Sequence, residues 1–137
     1  MTDLTVVENI DAGFYRAPSA EKRQELTALI MKLFDRWGLS SDEQAAVLGL
    51  ADRRAIARYR QGSNMAPSRD LMDRVELLLD IHNALKLVFA GNADLAYAWM
   101  KAPNVEFSAL SPIQVIFRDG FLGLLRIAEF LRRRCQS

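Results

Sequence analysis

The chain has 137 residues, 50% of them hydrophobic and 26% charged, with 18 Lys and Arg against 17 Asp and Glu for a net charge of +1. That composition supports one or two small domains with a real core. No run approaches the roughly 18 apolar residues of a membrane span, the acidic start "MTDLTVVENIDAG" lacks the basic flank of a signal peptide, and the single cysteine, Cys135, excludes an internal disulfide framework. A cytoplasmic protein without a membrane partner is expected.

Residues 1–18 lack a sustained helical period and end in "RAPS", which reads as a flexible N-terminal arm. From Ser19, an N-cap candidate, Leu26, Leu29, Ile30, Leu33 and Trp37 recur at three- and four-residue spacing, predicting an amphipathic helix stopped by Gly38. Ser40 with Glu43 three residues on has the form of a capping box, so a second helix starts near Ser41. "ADRRAIARYRQG" then carries Ile56 and Tyr59 on one side and arginines on the others, up to Gly62. "GSNMAPS" is turn-rich punctuation.

After Pro67 the pattern lengthens. Leu71, Val75, Leu78, His82, Leu85 and Phe89 form a seam of nearly three heptads, open to two readings: intramolecular core or coiled-coil dimer interface. Asn92 or Ala93 opens a short helix through Leu95, Trp99 and Met100, which Pro103 prevents from continuing. Ser111-Pro112 reads as N-cap plus first-turn proline. "FLGLLRIAEFLRRR" closes the chain with Leu124, Ala128 and Leu131 on one face and arginines at the negative end of the helix dipole. No segment shows strand alternation, so the expected fold is all-α: a helix-turn-helix unit over 19–66, and a long helix leading a small helical unit over 67–137.

Chemistry for catalysis is sparse. His82, the single histidine, has no cysteine or acid at metal-ligand spacing and reads as a core or interface residue. Asp42 and Glu43 start a helix, where the dipole accounts for acids. Cys135 beside Arg134 is either an activated thiol or a spare one at a chain end. There is no glycine-rich phosphate loop and no nucleophile motif. No enzymatic activity, cofactor or metal is expected.

Fourteen of the 18 basic residues are arginine, and they cluster. Arg53, Arg54, Arg58, Arg60 and Gln61 fall on the second of two short helices joined at Gly49, with a small residue, Ala45, four positions earlier. A helix-turn-helix needs both features: the small residue admits the second helix and the glycine makes the turn. Arginine forks and glutamine can contact phosphates and read base edges in a major groove. On that reading Arg58 and Gln61 read bases while Arg53 and Arg54 touch phosphates. An ordinary helical hairpin with a solvated basic face is the other reading.

"QAAVLGLADRRAIARYRQG" resembles the helix-turn-helix of Xre-type regulators, with one extra residue between Gly49 and Ile56. The C-terminal half is more specific. "SRDLMDRVELLLDIHNALKLVFAGNADLAYAWMKAPNVEFSALSPIQVIFRDGFLGLLRIAEFLRR" resembles the toxin-binding domain of the Xre/MbcA/ParS antitoxins. It carries the family's helix ending in Trp99, then Pro103-Asn104, Phe107, a small residue at 109, Ser111-Pro112 and Gly120; the family commonly has glycine where this chain has Ala109. The resemblance implies an antitoxin whose partner is a RES-domain toxin, similar to ADP-ribosyltransferases and acting on NAD⁺, and whose helix-turn-helix binds operator DNA as a homodimer. It implies that the C-terminal domain covers the entrance to the toxin's active site, where the terminal helix from Gly120 to Arg134 is expected to lie across the cleft. Arg118, Phe121, Arg126, Glu129, Arg132 and Arg133 are the contact candidates there: Glu129 or the C-terminal carboxylate would enter an electropositive cleft, or Arg126, Arg132 and Arg133 would pair with toxin acids. Trp99, Pro103, Asn104, Phe107, Ser111 and Pro112 are expected to form a structural elbow. The alternatives are an Xre-like DNA-binding regulator without a toxin, and an interaction module that has lost DNA binding, for which the extra residue and nearby Asp52 speak.

Overall fold

Ser19 opens the first helix through its hydroxyl, which accepts a hydrogen bond from the Lys22 amide at 3.1 Å. A computed structural model describes residues 14–136. Most of the expected arm, residues 1–13, lies outside the described residues. These form seven α-helices and no strand: α1 (Ala20–Arg36), α2 (Ser41–Val47), α3 (Arg54–Arg60), α4 (Arg69–Val88), α5 (Ala93–Ala98), α6 (Pro112–Asp119) and α7 (Phe121–Gln136), with two 3₁₀ turns between α5 and α6. The expected all-α fold is what the chain adopts.

Local chemistry sets the helix ends. Ser40 and Glu43 form the reciprocal capping box (3.2 and 2.8 Å), and Ser111 with Gln114 forms another (3.2 and 2.8 Å). Each of α1, α2 and α3 ends in the same way: the glycine amide bonds three residues back, and the next amide bonds five residues back, from Leu39 to Phe34, Leu50 to Ala45 and Ser63 to Arg58. This Schellman closure requires a left-handed residue, met by Gly38 and Gly49 at φ 67° and 69°.

The helices share one core. Ile30 and Phe34 of α1, Leu48 and Ile56 of the helix-turn-helix, Leu78, Ile81 and Leu85 of α4, and Leu124 and Ile127 of α7 are all at most 1% exposed and belong to one cluster. The α4 seam is thus intramolecular, packed chiefly on α7. Its register differs from a heptad at the fourth position, where Ile81 is fully buried and His82 only half-buried. On a helix of 3.6 residues per turn the position one turn beyond Leu78 falls between Ile81 and His82, and the apolar side chain is the one packed into the core. On α1, Leu29 is 46% exposed although its spacing places it in the seam; Thr27, Met31 and Phe34 take the inward positions.

Candidate functional site

Two surfaces matter, the outer face of α3 and the face around α6 and α7. On the first, Ile56 and Ala45 are buried (1% and 3%), and Ala45 gives α3 room to seat against α2. With 3.6 residues per turn, Arg54, Arg58 and Gln61 fall on the side opposite Ile56, and all three are exposed. The five candidate residues do not share one role. Arg60 leaves this face and clamps the unit: its guanidinium donates to Asp35 of α1 at 2.8 and 2.9 Å and to the Oε1 of buried Gln44 at 3.1 Å. The hydrogen bonds from Arg60 hold the Asp35 carboxyl below its usual range. Arg54 folds back on Asp52, donating through Nε and Nη2 at 3.0 and 2.6 Å. Asp52 also accepts from the Arg54 amide at 2.8 Å, and with Arg54 supplying the larger effect its pKa is lowered to about 2. Asp52 thereby caps α3, whose formal N-cap, Arg53, has no side-chain cap bond. Arg53 lies 3.9 Å from Asp42. Among the described residues, the Arg58 and Gln61 side chains have no hydrogen-bond or ion-pair partner, so both point into solvent uncommitted.

The second surface lies around α6 and α7. Gly120, at φ 63°, turns the chain between them. Gly123 lets their backbones touch: a Cβ there would sit 2.5 Å from the Val115 carbonyl oxygen. Of the contact candidates, Arg118 pairs with its neighbour Asp119 (2.9 and 2.8 Å), Arg126 lies over the Phe107 ring at 5.2 Å, Arg132 pairs with Glu129 at 2.8 Å, and Arg133 is exposed. Phe121 is half-buried beneath the Arg74 guanidinium at 5.7 Å. Apolar side chains that the composition did not single out accompany them: Phe117, Leu122 and Val105 are 39%, 72% and 90% exposed.

The elbow sits beneath α7. Trp99, Phe107 and Phe130 form a ring cluster with centroids 5.1–6.3 Å apart. Pro103 is exposed before the turn; Asn104 Oδ1 accepts from the Glu106 amide at 2.9 Å, and the Asn104 amide donates to the Leu110 carbonyl at 3.1 Å, closing the loop. Ser108 and Ala109 take φ of 57° and 70°, so the position where glycine is expected does need the left-handed region. Pro112 stands first in α6 behind its cap Ser111.

Two residues link the surfaces and were not among the candidates. Arg74, with a side chain 12% exposed, donates to the Val47 carbonyl at 3.2 Å and to Asp70 at 3.2 Å while covering Phe121. Gly49 leaves it space, since a Cβ there would meet its Cζ at 2.7 Å. An arginine three residues after Leu71 and four before Leu78 lies on the apolar side of α4, which was a readable signal. Lys101 donates to the Gly38 carbonyl and pairs with Glu43 at 3.4 Å. Among the described residues, no group of three or more potential metal ligands occurs, and no helix is long and apolar enough to cross a membrane.

Comparison with known proteins places both surfaces in a family. Residues 22–80 match the antitoxin Xre-like helix-turn-helix domain, and residues 84–134 match the antitoxin Xre/MbcA/ParS C-terminal toxin-binding domain. The uncharacterized protein y4oB of Sinorhizobium fredii (strain NBRC 101917 / NGR234) is 27% identical over 113 residues, covering 82% of this chain and 85% of that one. A chain of the M. tuberculosis MbcT-MbcA toxin-antitoxin complex shares the fold, with a TM-score of 0.54 at 24% identity over 81% of this chain and 94% of that one. Carrying the helix-turn-helix and the toxin-binding domain in tandem, the chain belongs to the Xre/MbcA/ParS antitoxins.

Proposed function

We propose that the protein is the antitoxin of a two-component module: residues 67–137 cover the active site of a RES-domain, NAD⁺-consuming toxin, and residues 19–66 bind operator DNA as a homodimer to repress the module's own expression. The tandem order of the two family domains carries this reading. The solved complex with a similar fold, that of MbcT and MbcA, supports a protein toxin as partner. The α6–α7 surface offers the mixture such a contact uses: exposed Phe117 and Leu122 for desolvated anchoring, with Arg118, Arg126, Glu129, Arg132 and Arg133 around them. The protein acts by occupying the cleft and performs no catalysis of its own. Co-expression with the product of the neighbouring gene tests it: the two should co-purify and growth should recover. A toxin left active by folded antitoxin would overturn the reading. The informative substitutions are on the surface, such as Leu122→Asp, which should abolish co-purification and leave the fold intact.

A second reading, an interaction module that no longer binds DNA, is favoured by the ion pairs that occupy Arg53, Arg54 and Arg60. A gel shift on the module's promoter at rising salt separates the two: operator binding should weaken with a steep salt dependence, whereas no shift at low salt leaves the interaction module.

A further inference from the structure

Leu29 belongs to an apolar stripe that the helix-turn-helix and the toxin-facing surface do not use. Beside the core stripe of α1, Leu26 is half-buried and Leu29 46% exposed, and both open onto a trough between α1 and α4. At one end a hollow of about 490 Å³ has Leu26, Met72, Val75 and Leu79 as its floor. Asp73, Glu76 and Asp80 edge it against a single base, Arg16, and Tyr15 closes its wall by donating to the Pro67 carbonyl at 3.0 Å. Past Leu79, which lines both, a second hollow of about 170 Å³ lies among Leu29, Leu33 and Tyr97, with Lys32 and Arg36 on its rim. The trough is therefore apolar along its length, acidic at one end and basic at the other. Among the described residues Glu76, Asp80 and Lys32 form no ion pair, and Arg36 lies over the Tyr97 ring at 5.6 Å with no acid on it.

We propose that this trough is the surface through which two copies of the chain meet. A two-fold axis lying in the face near Leu29 and Leu79, midway between the charged ends, sets Glu76 and Asp80 of one copy against Lys32 and Arg36 of the other and buries the two Leu29 side chains at the centre. An isologous contact needs this self-complementarity. The competing occupant is the chain's own segment 1–13, which carries Leu4, Val6, Val7 and Ile10. Its charges are Asp3, Glu8 and Asp11 with no base, and the end of the trough beside residues 14–16 sets three acids against the one base Arg16, so the net charge there opposes that occupant and favours a second copy. The proposal rests on the homodimer invoked for operator binding and gives that dimer its surface.

Sedimentation of the full chain, without DNA or toxin, tests it. The wild type should be dimeric at micromolar concentration. Leu29→Glu should weaken association at least about tenfold, with an unchanged circular dichroism spectrum. Glu76→Lys and Lys32→Glu should each weaken association, more at low salt than at high, and the double variant should recover it, which a merely structural role would not produce. A monomeric wild type, or a dimer indifferent to Leu29→Glu and to the charge exchange, overturns the proposal. A chain lacking residues 2–13 should remain dimeric; a monomer that dimerises only after that truncation overturns the proposal in favour of the segment. A dimer that fails to shift its promoter leaves this surface standing and removes the operator reading, while a monomer that still neutralises a toxin removes this surface alone.

Discussion

Arg58 and Arg60 are two residues apart on α3 and do different things. Arg60 is spent on Asp35 and Gln44, whereas Arg58 extends from the face opposite Ile56. Arg58→Ala should therefore lower operator affinity by about 1–3 kcal/mol, if it makes a bidentate base contact, without moving the melting temperature. Arg60→Ala should lower stability by about 1 kcal/mol or less, its side chain being 35% exposed. Fluorescence anisotropy on promoter DNA and thermal melts separate them; the reverse pattern would exchange their roles. Ala109 sits at φ 70°. Replacing it with glycine removes a steric penalty of about 1 kcal/mol that outweighs the added freedom of the unfolded chain, so Ala109→Gly should raise the urea midpoint with an unchanged slope.

At the scale of elements, α7 is at once the expected toxin cover and a wall of the core. Gly123, Leu124, Ile127, Ala128 and Leu131 are buried against α4 and α6. Removing residues 120–137 takes this wall away, so such a truncation should unfold the chain, and neutralisation has to be dissected by surface substitutions instead. The close crossing gives a sharper test. Gly123→Ala directs a methyl at the Val115 carbonyl, 2.5 Å away, and should cost about 1–3 kcal/mol in chemical denaturation; a neutral result would mean that α6 and α7 shift apart freely. The contact of α4 with α5 adds a pH dependence. His82 stacks parallel to Tyr97 at 6.3 Å, with Arg36 also on that ring, and burial followed by the charge of Lys86 pushes its pKa below 6.5. The unfolded chain then binds the proton more readily than the folded one. Stability is unaffected above the ordinary histidine value and falls as pH drops through it toward the lower folded value. Melting temperatures taken from about pH 8 to about pH 5 should show this fall, and His82→Gln should flatten it.

Across the whole molecule, the two family domains share one core, from Ile30 in α1 to Leu131 in α7. Arg74 fastens the α2 end at Val47 to Phe121, and Lys101 fastens the elbow region to Gly38 and Glu43. The helix-turn-helix and the toxin-binding domain should therefore unfold together: calorimetry should give a single transition whose calorimetric and van't Hoff enthalpies agree, and two resolved transitions would show that the bracing is weaker than its geometry. The same bracing holds the α3 face and the α6–α7 face in a fixed relation.

What was legible in the chain of letters was local. Ser19, Ser40 and Ser111 as caps and Gly38, Gly49 and Gly62 as stops follow from bonds that span three to five residues, whose partners stand next to each other in sequence. The helical class and the family resemblance follow from the same patterns. Which arginines remain available was decided elsewhere, because Arg60 meets Asp35 twenty-five residues away and Arg74 meets Val47 across twenty-seven. The inward turn of Ile81 instead of His82, the exposure of Leu29 and the backbone contact at Gly123 belong to that second kind. Periodicity says that a helix has an apolar side; only the neighbours packed around it decide which residue of that side meets the core and which is left for a partner.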